Sequence, residues 1–87
     1  MYVVTQHQIT DPETFWEAAL AAEIPGHLKL LQILPNEEGS QAVCLWEADS
    51  VSDVEAFMEP TVRHVSRNRY FPVATNRALG LPKLVEA

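Results

Sequence analysis

The side chains of this 87-residue chain that could do chemistry near neutral pH are few: His7, His27, His64, Cys44 and a group of arginines at 63, 67 and 69. Imidazole changes charge close to neutrality, so a histidine beside a carboxylate suits proton transfer, or metal ligation if further donors join it. No two of the histidines and the cysteine fall at H-x-x-x-H or C-x-x-C spacing, so no metal site and no cofactor is expected. Cys44 stands between Val43 and Leu45, where a thiol behaves as a small hydrophobe. His27 follows Gly26 at the start of a strand and is expected in solvent.

The strands and helices that must position these groups are legible from periodicity. Tyr2–Ile9 (YVVTQHQI) has the β-branched and aromatic content of a strand. Thr10-Asp11-Pro12-Glu13 then opens a helix, with either Asp11 or Thr10 as its cap. Phe15, Trp16, Ala19 and Leu20 form its apolar stripe, and Ile24-Pro25-Gly26 ends it. His27–Leu34 and Gln41–Ala48 read as a hairpin joined by the polar segment Pro35–Ser40. In His27–Leu34 the alternation puts Leu28, Leu30 and Leu34 on one side and Leu31 and Ile33 on the other. Ser50 and Asp53 have the spacing of a capping box for a second helix with Val51, Val54, Phe57 and Met58 inward. Pro60 predicts a break near Met58–Glu59 and a separate turn from Pro60 to about Arg67, with Val62 and Val65 inward. The last strand is expected over Tyr70–Ala78, demoted to an edge by Pro72, with a short tail from about residue 80.

The order is β-α-β-β-α-β in one domain spanning 1–87, an α+β, ferredoxin-like arrangement. It implies a four-stranded antiparallel sheet in the order 4-1-3-2 with both helices on one face. Gln41–Ala48 is apolar on both sides at its centre. Two helices cover one face only, so a second copy of the sheet is the simplest cover for the other, and a homodimer through the open sheet face is expected. Taking the first and third strands as parallel neighbours places His7 and Glu47 near one end of the sheet, as a proton-handling pair. The alternatives for that pair are a metal with N/O ligands and a histidine hydrogen-bonded for packing alone. Trp46 either packs under a helix or faces the cavity between paired sheets and stacks on a planar ligand. Arg63, Arg67 and His64 are candidates for holding an anionic ligand group, against solvated or intersubunit roles.

Charge is unevenly placed. Residues 1–62 carry eleven acids and one base, residues 63–87 five bases and one acid, for a net −6. Such a surface is unsuited to nucleic acid or an anionic membrane. One cysteine, an N-terminus without a secretion signal and no apolar run of membrane-spanning length lead to an expectation of a cytoplasmic protein.

The strand-to-helix passage HQITDPETFW, the passage CLWEADS and the return NRYFPV together resemble the dimeric α+β barrel superfamily over residues 2 to about 80. Its members are ferredoxin-like chains that pair sheet to sheet. They include cofactor-independent monooxygenases of antibiotic biosynthesis, muconolactone-isomerase-like enzymes, heme-degrading relatives, a nickel-binding group and many members without known activity. CLWEADS is most similar to the last two groups. The resemblance implies the fold and the dimer, and transfers no catalytic residue. The expected function is small-molecule binding in the inter-sheet cavity, with cofactor-independent oxygenase or isomerase chemistry on His7 and Glu47; a nickel-type metal-binding protein or a purely structural dimerisation module is the alternative.

Overall fold

The computed structural model describes residues 1–82. The elements run β1 (Tyr2–Ile9), α1 (Pro12–Ala21), β2 (Lys29–Pro35), β3 (Gln41–Glu47), α2 (Val51–Val62) and β4 (Ser66–Pro72). They form a ferredoxin-like α+β fold: one antiparallel sheet in the order β2-β3-β1-β4, with the two helices packed on one face. No helix among the described residues is long and apolar enough to cross a membrane.

Each helix starts where its cap predicts. Asp11 accepts the backbone N–H of Thr14 at 3.2 Å, with Pro12 at the first turn. Ser50 accepts the N–H of Asp53 at 3.1 Å. Under the helices lie Val3, Phe15, Cys44, Trp46, Val54, Met58, Val62 and Val65, the buried core. Leu20 leaves the predicted stripe and is 75% exposed, because α1 closes on the sheet through Phe15 and Trp16 further back.

Four expectations are corrected. First, β1 and β3 are antiparallel, Tyr2 lying opposite Glu47 and His7 opposite Ala42. The α1 crossover leaves β2 parallel to β1 but one strand away, and the β2–β3 hairpin then reverses the chain into the gap between them, so β3 runs against both. Second, α2 continues through Pro60 to Val62. The N–H that Pro60 lacks would have gone to the carbonyl of exposed Ala56, which water can serve. The last turn closes instead through Thr61 Oγ1 donating to Phe57 O at 2.8 Å and Arg63 N–H donating to Glu59 O.

Third, β4 begins at Ser66, four residues early, and Pro72 ends it instead of lying inside it. The N–H and hydroxyl of Thr10 both donate to Val65 O and pin the start. Fourth, the pairing of β2 shifts between Leu30 and Gln32. Leu30 and Ile33 therefore stand on the helix side, opposite Trp46 and Cys44, while Leu34 stands on the open side opposite Val43. Beyond β4 the chain stays beside the first residue of β1: Val73 N–H donates to Tyr2 O, and Tyr2 OH donates to Pro82 O at 3.1 Å. The end of the expected tail, 83–87, lies outside the described residues.

Candidate functional site

Alternation along β1 sends Val3, Thr5, His7 and Ile9 under the helices, and all four are buried. The same alternation turns Ala42, Cys44 and Trp46 of β3 inward, and Ser66, Asn68 and Tyr70 of β4 onto that face. Three strands thus converge polar side chains on a region whose neighbours are apolar.

His7 is the centre of that group and is only 2% exposed. Its Nδ1 lies 2.6 Å from Asn68 Oδ1 and its Nε2 2.9 Å from Thr5 Oγ1. Trp46 Nε1 donates to Thr5 Oγ1 at 3.3 Å. Asn68 Nδ2 donates to Glu59 Oε2 at 2.7 Å, and Tyr70 OH donates to the same oxygen at 2.8 Å. Ser66 Oγ stands 2.9 Å from both Asn68 Oδ1 and Val62 O. The Phe15 ring lies against the imidazole with centroids 5.4 Å apart. The result is a connected chain of partners from the indole of Trp46 to a carboxylate on α2.

The electrostatics follow from burial. Loss of solvent lowers the pKa of His7 from 6.5; the hydrogen bond to Asn68 and the charge of Glu59 oppose that shift. The imidazole is therefore held neutral at physiological pH, as a proton acceptor requires. Burial, the bond to Glu59 and the charges of Glu59 and Glu55 push the Tyr70 phenol far up, so it stays a donor. Burial also raises the Cys44 thiol, the Thr5 hydroxyl working against it; Cys44 is thus a protonated lining group and not a nucleophile.

Beside this network a small, partly open apolar pocket of about 40 Å³ lies between helices and sheet. His7, Phe15, Cys44, Trp46, Phe57 and Met58 contribute to its walls. Leu20, Ile24 and Ile33, all exposed, also line it and mark an apolar lip between the end of α1 and the β2 edge. On the opposite sheet face lies an open concavity of about 700 Å³ lined by Gln6, Gln8, Gln41, Arg67 and Arg69 among others.

The sequence-derived candidates are dispersed by this geometry. His7 and Glu47 are five register positions apart, about 17 Å at a strand's rise of ~3.3–3.4 Å per residue. Glu47 also alternates onto the open face with Val43 and Leu45, so the two form no pair. Its Oε2 is buried with no hydrogen-bond partner among the described residues. Trp46 faces the helices, where it is 2% exposed and meets Phe57 edge to face at 6.0 Å; it cannot stack on a ligand between sheets. Arg63 caps the end of α2 and His64 follows it, both exposed, whereas Arg67 lines the open-face concavity. His27 is exposed, as expected. No group of three His, Cys, Asp or Glu side chains comes together to hold a metal ion among the described residues.

Thr5, Glu59, Asn68 and Tyr70 were not singled out by sequence. The signal for two of them was present: in SRNRYFP, Ser66, Asn68 and Tyr70 alternate with Arg67, Arg69 and Phe71 once the strand is set at 66–72. A scan against protein-family models finds no match for this chain, and searches of curated proteins and of solved structures find none either.

Proposed function

We propose that the chain is a small-molecule-binding protein of the dimeric α+β barrel type, whose ligand occupies the pocket between helices and sheet and whose proton acceptor is His7. The observation that carries this reading is an almost fully buried imidazole, its pKa lowered by that burial, in the wall of an otherwise mainly apolar pocket. A histidine kept uncharged by burial and oriented by hydrogen bonds at both nitrogens is suited to take a proton from an acidic C–H or O–H when the Thr5 hydroxyl turns away from its basic nitrogen, and to return it elsewhere. That is isomerase chemistry, and the same proton removal opens the reactions of cofactor-independent oxygenases. The pocket walls carry no cation, so the fitting ligand is an uncharged, largely apolar molecule.

At about 40 Å³ the pocket holds roughly one water's share of volume, so a ligand enters by parting the lip of Leu20, Ile24 and Ile33. The homodimer of this reading uses the open face, where Val43 (38%) and Phe71 (42%) remain exposed beside half-buried Tyr2 and Val4. Burying them against a second copy would stabilise the assembly at ~25 cal/mol per Å² of apolar surface.

Titration with an uncharged aromatic such as 1-naphthol, followed by Trp fluorescence, tests the pocket. Saturable quenching is expected in the parent protein. Because Trp16 and Trp46 both line the pocket, quenching should shrink in Trp46→Phe and vanish only in the double variant Trp16→Phe/Trp46→Phe, while calorimetry still detects binding. Leu20→Asp or Ile33→Asp at the lip should weaken binding at least tenfold. Absence of saturable binding to any such aromatic, or indifference to both lip substitutions, would sink the pocket assignment.

A further inference from the structure

Asn68 has one oxygen and one nitrogen on its side chain, and Glu59 decides which way round they sit. A carboxylate only accepts, so the Asn68 group 2.7 Å from Glu59 Oε2 is the NH2. The second donor to that oxygen, Tyr70 OH, holds the carboxylate in place. Asn68 Oδ1 is thereby turned toward His7 Nδ1, 2.6 Å away. An amide oxygen there requires a proton on Nδ1. In a neutral imidazole Nε2 is then bare, and its lone pair receives the Thr5 hydroxyl. The Thr5 oxygen is left free to accept the Trp46 indole N–H. In this orientation each donor named here meets an acceptor, and reversing Asn68 would set its oxygen against the Glu59 carboxylate.

We infer that Glu59 is a positioning residue which, through Asn68, holds His7 as its Nδ1–H tautomer and so makes Nε2 the proton-accepting nitrogen of the site. A histidine side chain free in water favours the opposite, Nε2–H form, so the selection is imposed by the fold. The groups facing His7 are Thr5 on its own strand, Asn68 and Ser66 from β4, Cys44 from β3, Phe15 from α1 and, beyond Asn68, Glu59 from α2. Of these Glu59 alone carries a charge, so the orientation has one electrostatic source. The inference deepens the role given to His7 in the proposed function, but it is read in the ligand-free protein. A wrong tautomer and an empty pocket therefore give different results.

Long-range 1H–15N correlation spectra of the 15N-labelled chain above pH 8 read the tautomer of each histidine directly, with His7→Gln assigning the signal. In the parent protein His7 should show a protonated Nδ1 and a bare Nε2, opposite in sense to exposed His27 and His64. Asn68→Leu should convert His7 to the Nε2–H form, and Glu59→Leu to a mixture of the two. Glu59→Gln keeps an acceptor oxygen and should preserve Nδ1–H, as should Tyr70→Phe. An Nε2–H signal for His7 in the parent protein overturns the inference whether or not any variant folds. Full retention of Nδ1–H in a folded Glu59→Leu also overturns it.

Discussion

His7 Nδ1 and Asn68 Oδ1 lie 2.6 Å apart although 61 residues separate them in the chain. The contact exists because β1 and β4 pair antiparallel with His7 directly opposite Asn68. Directly opposed residues share a face of the sheet, so the bond follows from register, and register is set at the strand's start by Thr10 holding Val65 O. The same register that builds the network thus depends on a contact well away from the pocket.

Removing His7 should separate a structural role from a chemical one. His7→Leu leaves Thr5 and Asn68 short of a partner and should lower stability by about 1–3 kcal/mol in urea titration. Glu47→Gln should leave both ligand binding and the tautomer of His7 unchanged, since Glu47 lies on the other face of the sheet. A Glu47→Gln protein that lost binding would reinstate the His7–Glu47 pair that the register denies.

Stability should depend on pH through His7. Its folded pKa lies below 6.5, so the unfolded chain binds the proton more readily. The folded state is at full advantage above 6.5, and that advantage is lost as the pH falls from 6.5 toward the folded pKa. Melting temperature should drop across this window in the parent protein and drop less in His7→Gln. Equal slopes for the two would show that His7 is not the group responsible.

Gly39 should resist substitution. It has φ +72°, and a Cβ there would stand 2.9 Å from Trp16 Nε1, the indole nitrogen that donates to Gly39 O at 3.0 Å. Gly39→Ala combines left-handed strain with a clash in the loop that anchors α1, so a loss of roughly 1–3 kcal/mol is expected. Thermal unfolding measures it; a neutral Gly39→Ala would mean that the loop readily adopts another conformation.

The proposed dimer predicts a light-scattering mass of twice the chain at micromolar concentration, and an interface above roughly 1,000 Å². Phe71→Glu on the open face should yield monomers with the β-sheet intact by circular dichroism. A parent protein that is monomeric and unfolds cooperatively would show that the chain by itself provides cover enough.

By itself the sequence determined the order of elements, the two helix starts, the inward stripe of α2 and which residues of β1 and β3 share a side, though not which side meets the helices. Those features are local: a capping side chain reaches three residues along, and alternation along a strand needs no partner. It also marked His7 as the histidine to follow. Tertiary structure alone decided the rest, because strand direction, register and facing are properties of pairs. The hairpin turned β3 against β1, which carried Glu47 to the far end and other face of the sheet. A start at Ser66 gave β4 an inner side of Ser66, Asn68 and Tyr70; Pro72, which had marked an edge strand running on to Ala78, closes that edge strand instead. Only when α2 was laid across that side did Glu59 reach Asn68 and Tyr70. Each of those bonds joins residues whose spacing follows no helical or strand period, since it is fixed by how two elements cross.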